Sequence, residues 1–431
     1  MVLIFTNVAS PRLTYISGFI FGELLGTQGV LTSNVNEYLQ CPYAKINYSP
    51  DALLQREIQV TPHPLLAEDS IKTQDVDDFD FQQHKAFFQT GTGDLPFDIF
   101  SASFYLLSRY EEYLPHKKDV YGRFPHEESV AFKQGFLDQP LINIWAIKLA
   151  QLLCEKYPGT NLQLPVFRFL PTYDIDIAFS YKHKGFIRSL GGLMKPGSVK
   201  RLKVLAGVSP DPYESYDWLN TLHQGHQLQP RYFFLVARKN GRFDRHTLPR
   251  KVALRKLVRN HSEAYNIGIH PSWQSGDDHG LLPAEKRTLE EISGKEIQHS
   301  RQHYIRFNLP ADYRRLVENG ISDDYSMGYG SINGFRASVA SSFYWYDLEK
   351  EAVTSLRIHP FCFMDANSFY EQKMSAAETF EDLIKYYQAC KDVSGTLITI
   401  WHNHFLGSDP MFLPYREVYE RFVEKISRHH S

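Results

Sequence analysis

A repeating pattern in the last two thirds of the chain limits the folds that it can adopt. From about residue 163 onwards, short apolar segments alternate with helical or irregular stretches. Strands that alternate with helices favour a parallel sheet, open or closed into a barrel, because parallel neighbours need a long crossover between them. The seven predicted strands are residues 166–176, 231–238, 265–270, 297–307, 320–326, 356–365 and 396–404, of which 320–326 has the weakest pattern.

The first 160 residues lack this regular alternation of strands and helices. At 431 residues the chain is long enough for two or three domains. We expect a smaller mixed α/β domain at residues 1–160, a break at Pro158 and Gly159, and a second domain at 163–431. The elements predicted in the first domain are strands at 2–7 and 30–35 and helices at 10–26, 98–114 and 140–157.

One cluster of charged residues lies in the helix predicted at 98–114. Arg109, Glu111 and Glu112 follow an apolar run and belong to no chemical pattern. Charged residues on a helix usually face water, so we expect this cluster to be a solvated helix face.

Composition argues against several classes of function. The formal net charge is -2, so no overall basic field attracts nucleic acid. The four cysteines are far apart and form no C-x-x-C pair, which argues against a thiolate zinc site and fits free thiols in a reducing compartment. No stretch approaches the roughly 20 apolar residues that span a bilayer, and no basic segment precedes the short apolar run at the N-terminus. We therefore expect a cytoplasmic protein without a transmembrane segment.

The first strand of the second domain ends in two carboxylates. Asp174 and Asp176 close the apolar segment 166–176. Residues two apart on an ideal strand point to the same face, so the two like charges repel each other and both lose solvation. A cation, a helix N-terminus or a metal ion must offset that cost.

Histidines at other strand ends favour a metal ion. The C-terminal ends of parallel strands meet on one face of a β/α barrel, so residues far apart in the sequence converge there. His270 follows the third strand and His303 lies in the fourth. An Asp/His/His set suits Zn, Fe, Co or Ni, and such a metal polarises a carbonyl and lowers the pKa of bound water. A second carboxylate, free of the metal, is then placed to accept the proton of that water.

The order of these residues, Asp-x-Asp followed by separate histidines, resembles the polysaccharide deacetylases, the NodB-homology or carbohydrate esterase family 4 group. The resemblance covers roughly residues 163–425 and is to a divergent bacterial subgroup. It implies a distorted (β/α) barrel of about seven strands that hydrolyses N-acetyl, sometimes O-acetyl, groups on sugar polymers with a divalent metal. Residues 1–160 resemble an uncharacterised domain found ahead of some deacetylase-like modules. The expected fold class is thus α/β, a C-terminal barrel preceded by a smaller mixed α/β domain.

Two motifs of that family concern the base and the metal. In the first, T-F-D-D, two adjacent acids serve as base and metal ligand; the segment ending at Asp176 is similar with one residue inserted. The resemblance makes Asp174 the general base and Asp176 the metal ligand. The second motif, H-x-x-x-H, supplies two ligands. His270 matches the first of them, but Gln274 stands in place of the second, and His303 is the candidate replacement.

The remaining motifs concern an arginine and a proton donor. The arginine pairs with the base carboxylate, and two residues compete for this role: Arg301 by its position in the chain and Arg336 by its local sequence. A histidine at the end of an apolar strand protonates the leaving amine, and His402 matches it. Asp365 follows another strand and is expected to orient His402.

The resemblance predicts a metal-dependent hydrolase that removes acetyl groups from an N-acetylated sugar or polysaccharide precursor. Zn is the first choice of metal, with Co, Ni or Fe as alternatives. The replaced histidine and the inserted residue leave a second interpretation open, a catalytically degenerate barrel that serves as a sugar-binding or assembly protein in polysaccharide biosynthesis. Both imply a carbohydrate ligand, and membrane-associated enzymes of polysaccharide biosynthesis are candidate partners. Neither the sugar nor an oligomeric state follows from the sequence.

Overall fold

The structure, a computed structural model, describes residues 1–7, 9–55, 57–91, 94–182 and 198–427. The strands in the first part of the chain are β1 (Val2–Thr6), β2 (Gly29–Thr32), β3 (Ala44–Tyr48), β4 (Ile58–Gln59), β5 (Phe79–Phe81) and β6 (His84–Ala86). The first four form a parallel sheet in the order β2-β1-β3-β4, while β5 and β6 form a separate antiparallel pair.

A second, larger sheet of nine strands occupies the rest of the chain. Its strands are β7 (Arg168–Ile175), β8 (Arg231–Phe234), β9 (Asn266–Ile269), β10 (His299–Ser300), β11 (Asp323–Asp324), β12 (Phe343–Asp347), β13 (Ala352–Ile358), β14 (Phe363–Met364) and β15 (Thr396–His402). Their order is β12-β13-β11-β10-β9-β8-β7-β15-β14, and all neighbours are parallel except β12 and β13. The carboxyl ends of the parallel strands therefore meet at one edge of the sheet.

Helices connect these strands and cover the sheets. The longest begins with a capping box, in which the side chain of Ser375 accepts from the backbone N–H of Glu378 and the Glu378 carboxylate accepts from the backbone N–H of Ser375. The helices are α1 (Pro11–Gly18), α2 (Val35–Gln40), α3 (Ile99–Leu107), α4 (Val130–Lys133), α5 (Leu141–Lys156), α6 (Ser198–Leu205), α7 (Tyr216–Gly225), α8 (Val252–Ala264), α9 (Leu281–Ser293), α10 (Ala311–Glu318), α11 (Ala376–Asp392) and α12 (Leu413–Ser427).

The expected barrel of about seven strands needs correction. Each of the seven predicted segments contains strand residues, but 356–365 contains the end of β13 and all of β14, and the aromatic strand β12 was not predicted. Within the described residues no ladder joins the two outer strands, β12 and β14, so the sheet is open. The outer strand β14 has two residues and β12 runs antiparallel, so neither extends the parallel ladder far enough to close it.

The register of the larger sheet brings the candidate residues together. β7 and β15 pair over seven residues, and this pairing places Asp174 directly beside His402. On its other side Asp174 lies beside Phe233 of β8. Asp176 and His270 each follow the last residue of their strand, so all of these groups lie at the same edge of the sheet.

The two parts of the chain pack closely together. Residues of both belong to one hydrophobic cluster, and the rings of Phe104 and Tyr346 lie 5.3 Å apart across the junction. In the sequence, the strands of the smaller sheet all precede residue 160 and those of the larger sheet all follow it. The division into domains at 1–160 and 163–431 stays a prediction. Among the described residues, no helix combines the length and the apolar character needed to cross a bilayer.

The charged cluster that was expected to be a solvated helix face is buried instead. The helix α3 ends at Leu107, and Arg109 takes a left-handed conformation (φ 56) that turns the chain inward. Glu112, which is 4% exposed, accepts hydrogen bonds from Arg109 Nε at 2.8 Å and from Arg336 Nη2 at 2.6 Å. Burial alone would raise the pKa of Glu112, but the guanidinium groups of Arg336 and Arg109 lower it to about 2.

Replacing Glu112 with alanine is expected to lower the free energy of unfolding by about 3–5 kcal/mol, because two buried guanidinium groups lose their common partner. Equilibrium denaturation in guanidinium chloride measures this. Glu155→Ala, on the exposed surface of α5, is the matched control and should change stability by less than about 0.5 kcal/mol. Equal effects of the two substitutions would show that the buried network does not hold the two parts together.

Candidate active site

Seven of the eight predicted site residues come together at the carboxyl edge of the larger sheet. Five of them line a cavity of about 480 Å³. The other two do not line it but bind residues that do: Arg301 contacts Asp174, and Asp365 contacts His402. The five lining residues are Asp174, Asp176, His270, His303 and His402.

Asp176, His270 and His303 form a cluster with the dimensions of a metal site. One ligand atom from each residue lies within 4.8 Å of the others. The two carboxylate oxygens of Asp176 face different histidines: Oδ1 is 3.2 Å from His270 Nε2, and Oδ2 is 3.4 Å from His303 Nε2. Two imidazoles and one carboxylate with room for a further ligand suit a catalytic zinc site.

The hydrogen bonds behind these atoms show that the cluster fits a cation. His270 Nδ1 lies 2.6 Å from the carbonyl oxygen of Arg301, and a carbonyl only accepts, so the proton of a neutral His270 is on Nδ1. The lone pair of Nε2 then faces Asp176 Oδ1, which is a buried oxygen without a hydrogen-bond donor among the described residues. Two acceptors that face each other at this distance repel, and either a metal ion or a proton on His270 Nε2 relieves that repulsion, so the position suits a cation.

His303 is held by a carboxylate on the side away from the cluster. Its Nδ1 donates to Asp244 Oδ1 at 2.9 Å. Burial alone would lower the pKa of His303, but Asp176 and Asp244 raise it to about 9. Burial would likewise raise the pKa of Asp176, but the neighbouring histidines, His303 foremost, hold it well below its usual value. Near neutral pH a proton on His303 Nε2 therefore balances the charge of Asp176, and a metal ion that bound here would have to displace that proton.

Asp244 is a residue that the sequence analysis missed. It is fully buried and accepts hydrogen bonds from the backbone N–H of Trp273 at 2.7 Å and from Gln274 Nε2 at 3.0 Å. Gln274, which stands where the deacetylase motif has its second histidine, thus binds the carboxylate behind His303. The available signal was an acid in the loop that follows the predicted strand 231–238.

Asp174 is bound by Arg301. Arg301 Nη1 donates to Asp174 Oδ1 at 2.8 Å, and the guanidinium is fully buried over the ring of Phe233 at 4.4 Å. Asp174 Oδ2 lies 3.8 Å from His270 Nε2, beside the cluster. The other candidate, Arg336, lies elsewhere, because its guanidinium is bound to Glu112 and to the carbonyl oxygen of Gly328.

His402 also lies beside the cluster, on the strand next to that of Asp174. Its Nδ1 donates to Asp365 Oδ1 at 2.7 Å, and its backbone N–H donates to Asp365 Oδ2 at 2.6 Å. Burial alone would lower the pKa of His402, but the carboxylate of Asp365 raises it to about 10. His402 is therefore an imidazolium near neutral pH, and its Nε2 lies 3.7 Å from Asp176 Oδ2.

The comparison with protein families gives a match in the first part of the chain. A family of unknown function, DUF7033, matches residues 2–158. The curated proteins contain no match to this sequence.

Several solved structures are similar to this one at low identity. The polysaccharide deacetylase Bc1974 from Bacillus cereus is 12% identical, with 61% of this chain and 88% of that chain covered and a TM-score of 0.31. A probable polysaccharide deacetylase from Pseudomonas aeruginosa PAO1 is 12% identical, with 72% of this chain and 91% of that chain covered and a TM-score of 0.36. The Xyl-CE4 domain of a multidomain xylanase from the hindgut metagenome of Trinervitermes trinervoides is 7% identical. The match covers 62% of this chain and 84% of that chain, with a TM-score of 0.31. At these identities and TM-scores the similarity is distant and carries no activity over to this chain.

Proposed function

We propose that the protein is a metal-dependent hydrolase that removes an acetyl group from an N-acetylated sugar or polysaccharide precursor. One observation carries the proposal: the Asp176, His270 and His303 cluster has two further groups beside it, the carboxylate of Asp174, 3.8 Å from His270 Nε2, and the imidazolium of His402, 3.7 Å from Asp176 Oδ2. A group that accepts a proton and a group that donates one, both beside a metal site, are what amide hydrolysis requires.

Asp176, His270 and His303 would hold the divalent metal. Zn²⁺ is the first choice, because two imidazoles, one carboxylate and an open position are a common catalytic zinc environment; Co, Ni and Fe accept the same ligands. When bound, the metal polarises the acetyl carbonyl and lowers the pKa of bound water. The Arg301 carbonyl and the Asp244 carboxylate, which bind the outer nitrogens of the two histidines, orient the rings for ligation.

The protein's own residues perform the proton transfers. Asp174 accepts a proton from the attacking water, and Arg301 holds the carboxylate in place through the 2.8 Å hydrogen bond. His402 donates its Nε2 proton to the sugar nitrogen as the bond from that nitrogen to the acetyl carbon breaks. Water and amide thus yield acetate and a free amine, and Asp365 keeps His402 protonated until that step.

The wall of the cavity fits a sugar. Tyr304 and Tyr370 line it and are 36% and 52% exposed, so their rings offer faces on which a sugar can stack. His404 also lines the cavity. Burial lowers the pKa of His404 to about 3, so it is a neutral imidazole that can bind a sugar hydroxyl.

Acetate release from N-acetylated sugars tests the proposal. We expect the protein reconstituted with Zn²⁺ to release acetate from N-acetylglucosamine oligomers, to lose this activity with a chelator, and to regain it when Zn²⁺ is restored. The degenerate-barrel alternative predicts sugar binding that survives chelation and no acetate release from any N-acetylated sugar. That outcome would overturn the hydrolase and leave a binding protein.

A further inference from the structure

The backbone after His303 has an unusual conformation. Tyr304 and Ile305 both lie in the left-handed region, with φ values of 59 and 53. This region is strained for residues other than glycine, most of all for a β-branched residue such as Ile305. The turn is closed by hydrogen bonds from the Ile305 N–H to the Gln302 carbonyl at 2.9 Å and from the Arg306 N–H to the His303 carbonyl at 3.2 Å. Such a turn persists only where surrounding contacts hold it.

An arginine from the first part of the chain supplies that contact. Arg123, which is 5% exposed, donates from Nη1 to the carbonyl oxygen of Tyr304 at 2.8 Å. Its Nε donates to Asp119 Oδ2 at 2.6 Å. Asp119 Oδ1 in turn accepts from the backbone N–H groups of Tyr121 and Arg123, each at 2.9 Å. Asp119 therefore fixes both the backbone of Arg123 and the Nε side of its guanidinium, and Nη1 is left to bind the turn.

The second part of the chain leaves a slot for this arginine. Gly330 lies against the guanidinium, and an added Cβ there would collide with Arg123 Nη1 and lie 3.0 Å from the carbonyl oxygen of Tyr304. Tyr121 packs over Arg123 at 4.7 Å and faces the ring of Tyr304 at 5.4 Å. Both Tyr121 and Arg123 line the cavity that contains the metal cluster. Residues from both parts of the chain thus shape the contact between Arg123 and the Tyr304 carbonyl.

We propose that Arg123 is a positioning residue for the metal site: it holds the turn at residues 303–305 and thereby keeps His303 within reach of Asp176. The chain segment matched by the family of unknown function then has a role, because it completes the site built on the larger sheet. The part of this inference that concerns the metal rests on the proposed function. The part that concerns the turn does not.

Hydrogen exchange on the metal-free full-length protein tests the turn. We expect Arg123→Met to speed exchange of the amides of residues 305 and 306 by about tenfold or more, with other segments of the larger sheet unchanged. Arg123→Lys keeps one donor for the Tyr304 carbonyl and should restore part of the protection, while Gly330→Ala should mimic Arg123→Met. Lys118→Met, on an exposed side chain in the same loop, is the control. Unchanged exchange at residues 305 and 306 in Arg123→Met would overturn the proposal.

Zn²⁺ affinity of the same proteins extends the test to His303. We expect Arg123→Met to weaken Zn²⁺ binding by about 10–100-fold, the usual effect of losing a group that orients a ligand, and Arg123→Lys to recover part of it. Equal affinity in wild type and Arg123→Met would overturn the role of Arg123 at the metal while the proposed function stands. No Zn²⁺ binding by wild type would instead end the proposed function, and the exchange result alone would decide whether Arg123 holds the turn.

Discussion

Asp174→Asn is expected to lower kcat for acetate release by about 10²–10⁴-fold while one metal ion stays bound. Asparagine keeps the shape of the side chain and an oxygen for the hydrogen bond from Arg301, but it cannot accept a proton from water. The metal should stay because Asp174 is not in the ligand cluster of Asp176, His270 and His303. Steady-state kinetics and elemental analysis on the same preparation measure both quantities.

The control for this substitution is Asp392→Asn, at the exposed end of α11, which should leave both quantities unchanged. Full activity in Asp174→Asn would remove Asp174 as the base. Loss of the metal together with activity would instead make Asp174 a ligand, and the assignment of the two carboxylates would have to be exchanged.

His303→Ala is expected to weaken Zn²⁺ binding by more than about 100-fold. The substitution removes one of three ligands, and even the loss of an outer group that orients a ligand costs about 10–100-fold in affinity. Competition with a chromophoric chelator measures the dissociation constant. Since His303 is the candidate replacement for the second histidine of the H-x-x-x-H motif, this variant also decides whether the cluster of Asp176, His270 and His303 is the metal site.

A graded series gives this prediction its controls. Asp244→Asn, which removes the charge behind His303, should weaken Zn²⁺ binding by about 10–100-fold, less than His303→Ala does. His279→Ala, on an exposed histidine near α9, should have no effect. Unchanged affinity in His303→Ala would mean that the third ligand lies elsewhere and that the cluster is an ion pair of the metal-free protein.

The sequence carried enough information to place the edge of the sheet and most of the residues on it. Long apolar strands such as β7 and β15 have clear patterns, and parallel pairing then forces the residues at their carboxyl ends together. The open sheet could not be predicted, because β10, β11 and β14 have two residues each and leave no periodic pattern. The strand β12 was missed because it pairs only in a hairpin with β13.

Contacts between distant parts of the chain were the least predictable features. The choice between Arg301 and Arg336 depended on Glu112, which the sequence analysis expected in solvent and which binds Arg336 in the interior. The burial of that glutamate follows from the left-handed conformation of Arg109, which has no local signal because tertiary contacts impose it. Asp244 lies in a loop without regular structure, so its contact with His303 depends on the tertiary fold alone.

A titration of metal-free protein with Zn²⁺, with acetate release recorded on each sample, tests the central claim most directly. The account predicts that acetate release from N-acetylglucosamine oligomers rises in proportion to bound metal and reaches a plateau at one ion per chain. Asp174→Asn should bind metal along the same curve without releasing acetate. Acetate release that persists in the chelated protein, or none at full occupancy with any N-acetylated sugar, would contradict the account.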